Sequence, residues 1–151
     1  MQKHRGNTLR KGRYSSPNNL YLITTVTHQR KPIFTQLSLA RMAINALRYH
    51  DDQKRITTLA YVLMPDHLHW LFQLHSETLS RIMRDFKGYS SRQINKQTGQ
   101  NGKVWQAGYH DHALRGDEDV QRVARYIVTN PLRAGLVDQI GMYSHWDAVW
   151  V

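Results

Sequence analysis

The chain has 151 residues, enough to bury one core and too few for two. Its 21 Lys and Arg against 11 Asp and Glu give a formal net charge of +10, which calls for an anionic partner: nucleic acid, an anionic membrane surface or a phosphorylated ligand. Cysteine is absent, which excludes disulfides, Cys-ligated zinc and thiol catalysis and leaves nine histidines as the soft metal ligands.

Residues 1–19 read as a basic arm, with Arg10, Lys11 and Arg13 ahead of a turn-like Ser15-Ser16-Pro17-Asn18-Asn19, and residues 20–151 as a single domain. The arm lacks the apolar stretch of a secretory signal, and the longest apolar runs are too short to span a bilayer, so a cytoplasmic protein is expected. Leu20 to Thr27 is rich in β-branched residues and predicts a strand. Leu39, Met42, Ala43, Ala46 and Leu47 recur at helical spacing and predict a helix over 36–53. Ile56 to Met64 predicts a second strand, Pro65-Asp66 a turn, and the alternation of His67 to Leu74 a third strand. Leu79, Ile82, Met83 and Phe86 mark a second helix entered through Ser76 or Thr78, with Arg81, Arg84, Lys87 and Arg92 on its other face. Val104 to Arg115 reads as a fourth, irregular strand. Asp117 is placed to cap a third helix. From Asp138 onward the tail is aromatic, with Tyr143, Trp146 and Trp150, and is expected to pack back on the core.

This order of elements is a split βαβ repeat, which predicts an α+β fold: an antiparallel sheet with helices on one face. The other face is expected to stay open, as a single-stranded nucleic acid would require.

Two segments carry chemistry. In a strand His67 and His69 share a face, while Leu68, Trp70, Phe72 and Leu74 line the other. Two adjacent imidazoles on a rigid strand can hold one divalent ion, although two half-exposed polar residues are the plainer reading of an isolated His-x-His. On the third helix, Val120, Val123, Ala124, Ile127 and Val128 form one apolar stripe, and Tyr126 falls about 110° from its centre. Tyr126 is therefore either a rim residue or a nucleophile. Asn130 follows one turn later, either as a polar partner to Tyr126 or as the cap of a short turn begun by Asn130-Pro131 and closed by Gly135.

Taken together the motifs resemble a known family. His67-Leu68-His69, led by Pro65-Asp66, resembles the His-hydrophobic-His motif of single-tyrosine HUH transposases. The run from Tyr126-Ile127 through Asn130-Pro131 to Ala134-Gly135-Leu136-Val137 is similar to the signature of REP-associated tyrosine transposases, and Trp105-Gln106, Tyr109, Asp111-His112 and Arg115 resemble the block that precedes it. The resemblance spans residues 20–137. It implies a ferredoxin-like (RRM-like) domain with an added tyrosine-bearing helix. It implies Mg²⁺ or Mn²⁺ on His67 and His69, and Tyr126 as the nucleophile that cleaves single-stranded DNA through a 5′-phosphotyrosine; Asn130 is the candidate third metal ligand, at a position where the sequence departs from the related insertion-sequence transposases, which carry Gln. The implied substrates are DNA hairpins of repetitive extragenic palindromes, met by a bacterial, nucleoid-associated enzyme. Candidate DNA contacts are Arg10, Lys11, Arg13, Arg81, Arg84, Lys87, Arg92, Tyr109, Arg122, Arg125 and Arg133, with Trp105 as a further stacking platform or a core residue. His110 and His112 alternate on their own strand and are candidates to approach the metal. A transposase-derived module that binds hairpins without cutting them is the alternative. An RNA-binding reading is disfavoured by the absence of an RNP-type aromatic run, and a membrane surface by the lack of a basic helix with a large apolar face. Monomer and homodimer are both compatible with the sequence.

Overall fold

In the computed structural model, which describes residues 19–115, 120–137, 143 and 145–148, the apolar alternation sets the sheet. Strand β1 (Leu20–Val26) buries every second residue, and β3 (His67–Leu74) lies beside it with Thr24 opposite His69 and Val26 opposite His67. β2 (Ile56–Met64) joins β3 through the Pro65-Asp66 turn, and β4 (His110–Ala113) flanks β1 on its outer side. With β5 (Trp146–Ala148) the order is β4-β1-β3-β2-β5, every pair antiparallel. The mixed α+β class and the antiparallel sheet agree with expectation.

Helices α1 (Leu37–Asp52) and α2 (Leu79–Thr98) cover one face. Their apolar stripes meet Ile23, Leu68, Trp70 and Phe72 in one core, where Trp70 stands 5.3 Å from Phe86, centroid to centroid. Thr78, rather than Ser76, caps α2: its hydroxyl accepts from the Arg81 amide at 3.2 Å. Gly99 ends the helix in the left-handed conformation at φ 71°.

A register shift between Thr58 and Ala60 changes the phase of β2. Ile56 packs in the α1–α2 core and Thr58 accepts there from the Trp70 indole, but beyond the bulge it is Tyr61 and Leu63 that face those helices. Ala60, Val62 and Met64 consequently turn to the opposite face, where Val62 lies opposite His69 and Met64 opposite His67.

That second face is not open, which corrects the expectation. Helix α3 (Val120–Val128) lies on it, burying Ala124, Ile127 and Val128 against Val62, Met64 and Leu71. A stripe this apolar on a nine-residue helix has to be covered, since its burial is worth about 1.5–3 kcal/mol for each large side chain. Helices therefore occupy both faces, with the tyrosine-bearing one on the histidine side.

Two further expectations change. Val104 to Arg115 is not one strand: Trp105 bridges Thr27, the chain leaves the ladder at 106–109, and β4 forms only from His110. Gly108, at φ 79°, takes a conformation other residues avoid, and the Lys87 ammonium holds the detour by donating to the Gln106 and Gly108 carbonyls. The tail does return, as expected, but as an edge strand: Trp146–Ala148 pairs with β2, and the Tyr143 hydroxyl donates to the Leu63 carbonyl at 2.6 Å. The basic arm, the Asp117 cap and Trp150 lie outside the described residues.

Candidate active site

The strand pleat turns His67 and His69 to the same face, with ring centroids 4.8 Å apart and planes at 81°. Each imidazole is fixed from behind. His67 Nδ1 donates to Asp66 Oδ1 at 2.8 Å, and the other Asp66 oxygen accepts from Arg30 Nε at 3.1 Å. His69 Nδ1 lies 2.9 Å from Thr24 Oγ1 on the neighbouring strand. Burial alone would raise the Asp66 carboxyl, but the hydrogen bond from His67 and the charges of His67 and Arg30 reverse this, so it lies below its ordinary value. Burial pushes His69 down to about 4, assisted by the charges of His67 and Arg133. His69 is thus neutral at physiological pH, with its ring nitrogens available as donor and acceptor.

These features fit a divalent ion. Both Nδ1 atoms are engaged by an oxygen, which orients the rings and leaves Nε2 toward the site, the outer-shell pattern of metal-binding histidines. Two imidazoles suit Mn²⁺ better than Mg²⁺. Among the described residues no third His, Asp or Glu joins the pair.

Tyr126 sits on the solvent side of α3 and is 65% exposed, as its angle from the apolar stripe predicts. The chain turns at Thr129, and α4 (Asn130–Arg133) brings Arg133 back over the helix. Its guanidinium carbon lies 3.8 Å from the Tyr126 ring centroid. Its two terminal nitrogens donate to the Tyr126 carbonyl and to Thr129 Oγ1, both at 2.6 Å. The same positive charge helps to lower His69, and α3 itself packs on the face of the sheet that bears the histidines.

Other expected site residues fall into distinct places. Asn130 opens α4 after the break at Thr129, which is the cap position, so Asn130 is not the cap and does not continue the Tyr126 helix. Arg81, Arg84 and Arg92 are exposed on α2, and Arg122 and Arg125 on α3. Lys87 is spent on loop carbonyls. Tyr109 is only 8% exposed, with its ring in the α1–α2 core, so a base would not reach its face without repacking. Trp105 is a core residue, 5% exposed, with its indole donating to Ser90 Oγ at 2.9 Å. His110 and His112 lie on the histidine face, His110 opposite Thr24. Arg10, Lys11 and Arg13 lie outside the described residues. Thr24 and the link from Arg30 to Asp66 were not foreseen: Thr24 stands in an ordinary β-branched run, and only strand register reveals its partner.

Residues 15–130 match the family described as Transposase IS200 like, and the chain belongs to that family. Among its relatives, a protein of Haemophilus influenzae whose name places it with the REP-associated tyrosine transposases is 30% identical over 94 residues, covering 55% of this chain and 53% of the relative. The REP-associated tyrosine transposase of Escherichia coli K12 is 29% identical over 89 residues, covering 58% and 49%. The chain thus spans about half the length of these curated relatives. In fold it is similar to a REP-associated tyrosine transposase solved bound to a REP hairpin, with TM-score 0.68, 24% identity and coverage of 97% of this chain and 82% of that one. A transposase-like structure from Deinococcus radiodurans gives TM-score 0.54 at 21% identity, covering 84% and 95%. No helix among the described residues is long and apolar enough to cross a membrane.

Proposed function

We propose that the protein is a metal-dependent single-stranded DNA nicking and joining enzyme that acts on hairpin DNA, with Tyr126 as nucleophile. The observation that carries this reading is that α3 packs on the sheet face that bears His67 and His69, which sets an exposed phenol, covered by Arg133, and a paired-imidazole site on one side of the sheet. The relative solved with a REP hairpin supports hairpin DNA as the substrate class.

His67 and His69 would hold Mg²⁺ or Mn²⁺, with Asn130, water and a substrate oxygen for the remaining positions. The ion supplies Lewis-acid polarisation of the scissile phosphate when bound. Asp66 and Thr24 keep both rings oriented, and Arg30 keeps Asp66 ionised and aimed. The Tyr126 oxygen attacks phosphorus, a phosphotyrosyl bond forms, and the bond from phosphorus to the 3′ oxygen breaks. The phenolic proton leaves to solvent, and the departing oxygen takes one up as a free 3′-OH. Arg133 holds the phenol and adds positive charge where the phosphate sits. Because the phosphotyrosine conserves the phosphodiester, a 3′-OH can reverse the step, so joining follows from the same site as cutting. Exposed arginines on α2 and α3 supply sequence-independent phosphate contacts.

The test is a hairpin oligonucleotide incubated with Mn²⁺ or Mg²⁺ and run on a denaturing gel. An SDS-resistant protein–DNA adduct is expected, absent in Tyr126→Phe and absent with chelator. Equal products from wild type and Tyr126→Phe would remove Tyr126 from the chemistry. Metal-independent binding without an adduct would favour a non-cutting hairpin-binding protein.

A further inference from the structure

On the side of the sheet away from His67 and His69, an open cleft of about 510 Å³ lies between α1 and α2. Two tyrosines line it, Tyr49 from the last turns of α1 and Tyr89 from the middle of α2. They are 49% and 41% exposed, among the few large apolar side chains left in solvent by the described residues. Their rings are nearly parallel, 21° between planes and 6.1 Å between centroids.

Positive charge surrounds this aromatic pair. Arg84 and Arg92 lie on the same stretch of α2 and line the cleft with Arg55. Arg55 is consumed internally, since its guanidinium binds both Glu77 and Asp85. Arg84 meets only the outer oxygen of Asp85, at 3.3 Å and largely exposed, a pairing of little strength. Arg92 has no carboxylate partner among the described residues, and it folds across Gly88. A Cβ at that position would stand 3.2 Å from its guanidinium nitrogen, so the glycine makes room for the arginine within the groove.

Exposed π-faces beside unneutralised arginines are the two elements of a site for unpaired nucleotides: the base stacks and the phosphate pairs. A duplex could use the arginines but would have no free base face for the tyrosines. Admitting a base between the rings would need roughly 7 Å, two contact distances of about 3.5 Å, so at the observed spacing a base caps the pair from outside.

We propose that this α1–α2 cleft is a second DNA-contact site, which stacks an unpaired base on the Tyr49–Tyr89 pair while Arg84 and Arg92 hold the adjoining phosphates. It rests on the reading of the protein as a single-stranded DNA enzyme and adds a place, on the opposite side from the chemistry, where the same strand is gripped.

The test measures binding of fluorescein-labelled oligothymidylate by anisotropy at several salt concentrations. The Tyr49→Ser/Tyr89→Ser pair should weaken binding about tenfold, the loss of one stacked base. The Tyr49→Phe/Tyr89→Phe pair keeps the rings and should stay within about twofold of wild type, which also separates a stacking defect from a folding defect. Arg84→Gln/Arg92→Gln should lower the slope of log affinity against log salt by about 1.4, for two phosphates on a single strand. A serine pair that binds like wild type overturns the proposal, as does an equal loss on a blunt duplex. Wild-type protein that binds no single strand would instead overturn the function on which the proposal rests.

Discussion

The guanidinium of Arg133 stacks on the phenol ring of Tyr126, 3.8 Å from its centroid, while two of its nitrogens are tied to the turn that ends α3. Tyr126 is 65% exposed, yet one face of its ring is covered by the guanidinium.

Removing that restraint should slow the reaction more than it harms binding or the fold. Arg133→Ala loses a cation–π contact of about 0.5–2 kcal/mol as well as the charge beside the phosphate, and a fall of about ten- to a hundredfold in single-turnover adduct formation is expected. Arg133→Lys keeps the charge without the planar fork and should recover only part of the rate. Rapid-quench assays at saturating hairpin DNA measure this, with thermal unfolding as control. Equal rates for all three proteins would show that Arg133 does not position the phenol.

The hydrogen bonds behind the histidines lead to a separate expectation. Asp66→Asn weakens the orientation of His67, and Thr24→Val removes the partner of His69 Nδ1. Each should reduce Mn²⁺ affinity by about ten- to a hundredfold, typical of losing an outer-shell partner. Calorimetric Mn²⁺ titration of protein without DNA reads this directly. His67→Ala should abolish the signal, and unchanged affinity in Asp66→Asn would mean that Asp66 serves only the turn.

Acid should destabilise the protein through a residue far from the chemistry. Burial pushes His50 down to about 4, assisted by the Arg55 charge, and Arg55 donates to His50 Nδ1 at 2.9 Å, a contact only a neutral ring accepts. Its folded value lies below the unfolded 6.5, so the unfolded chain binds the proton first. Stability is therefore full above pH 6.5 and falls as pH drops toward 4, by about 3 kcal/mol from this group alone. Urea titrations at pH 7 and pH 5 test it, and in His50→Gln the dependence over that interval should shrink.

Helix α3 should depend on its apolar stripe rather than on its polar contacts. Ile127→Ala opens a cavity against Leu71 and Val62, and a loss of about 2–4 kcal/mol is expected by denaturant unfolding. Adduct yield should fall further than hairpin affinity, because the phenol travels with this helix. A variant that unfolds normally and cleaves normally would separate α3 packing from the reaction.

Periodicity made the main elements legible: β2 and β3 run over the expected residues, and α1 ends within a residue of its expected bounds. The shared face of His67 and His69 follows from the two-residue repeat of a strand, and the exposure of Tyr126 from its angle on a helix. What could not be read depends on long-range pairing. Nothing near Thr24 announces that it will stand beside His69, and nothing near Arg133 announces that a turn at Thr129 folds it onto Tyr126. The supposed open face failed for the same reason, since a strongly apolar α3 has to lie on something and pattern alone does not say which side. The fifth strand is three residues long, below the length at which alternation carries a signal.

The register shift in β2 leaves a strand made of two halves in opposite phase, joined at Leu59. Each half obeys the alternation rule, but the rule restarts at the junction. Removing Leu59 would close the ladder and keep every later residue on its present side, whereas pairing Leu59 into the ladder opposite Leu71 would exchange the two sides of everything beyond it. Tyr61 and Leu63 would then crowd the imidazoles, while Val62 and Met64 left holes under the helices. One unpaired residue thus decides which side chains floor the histidine face.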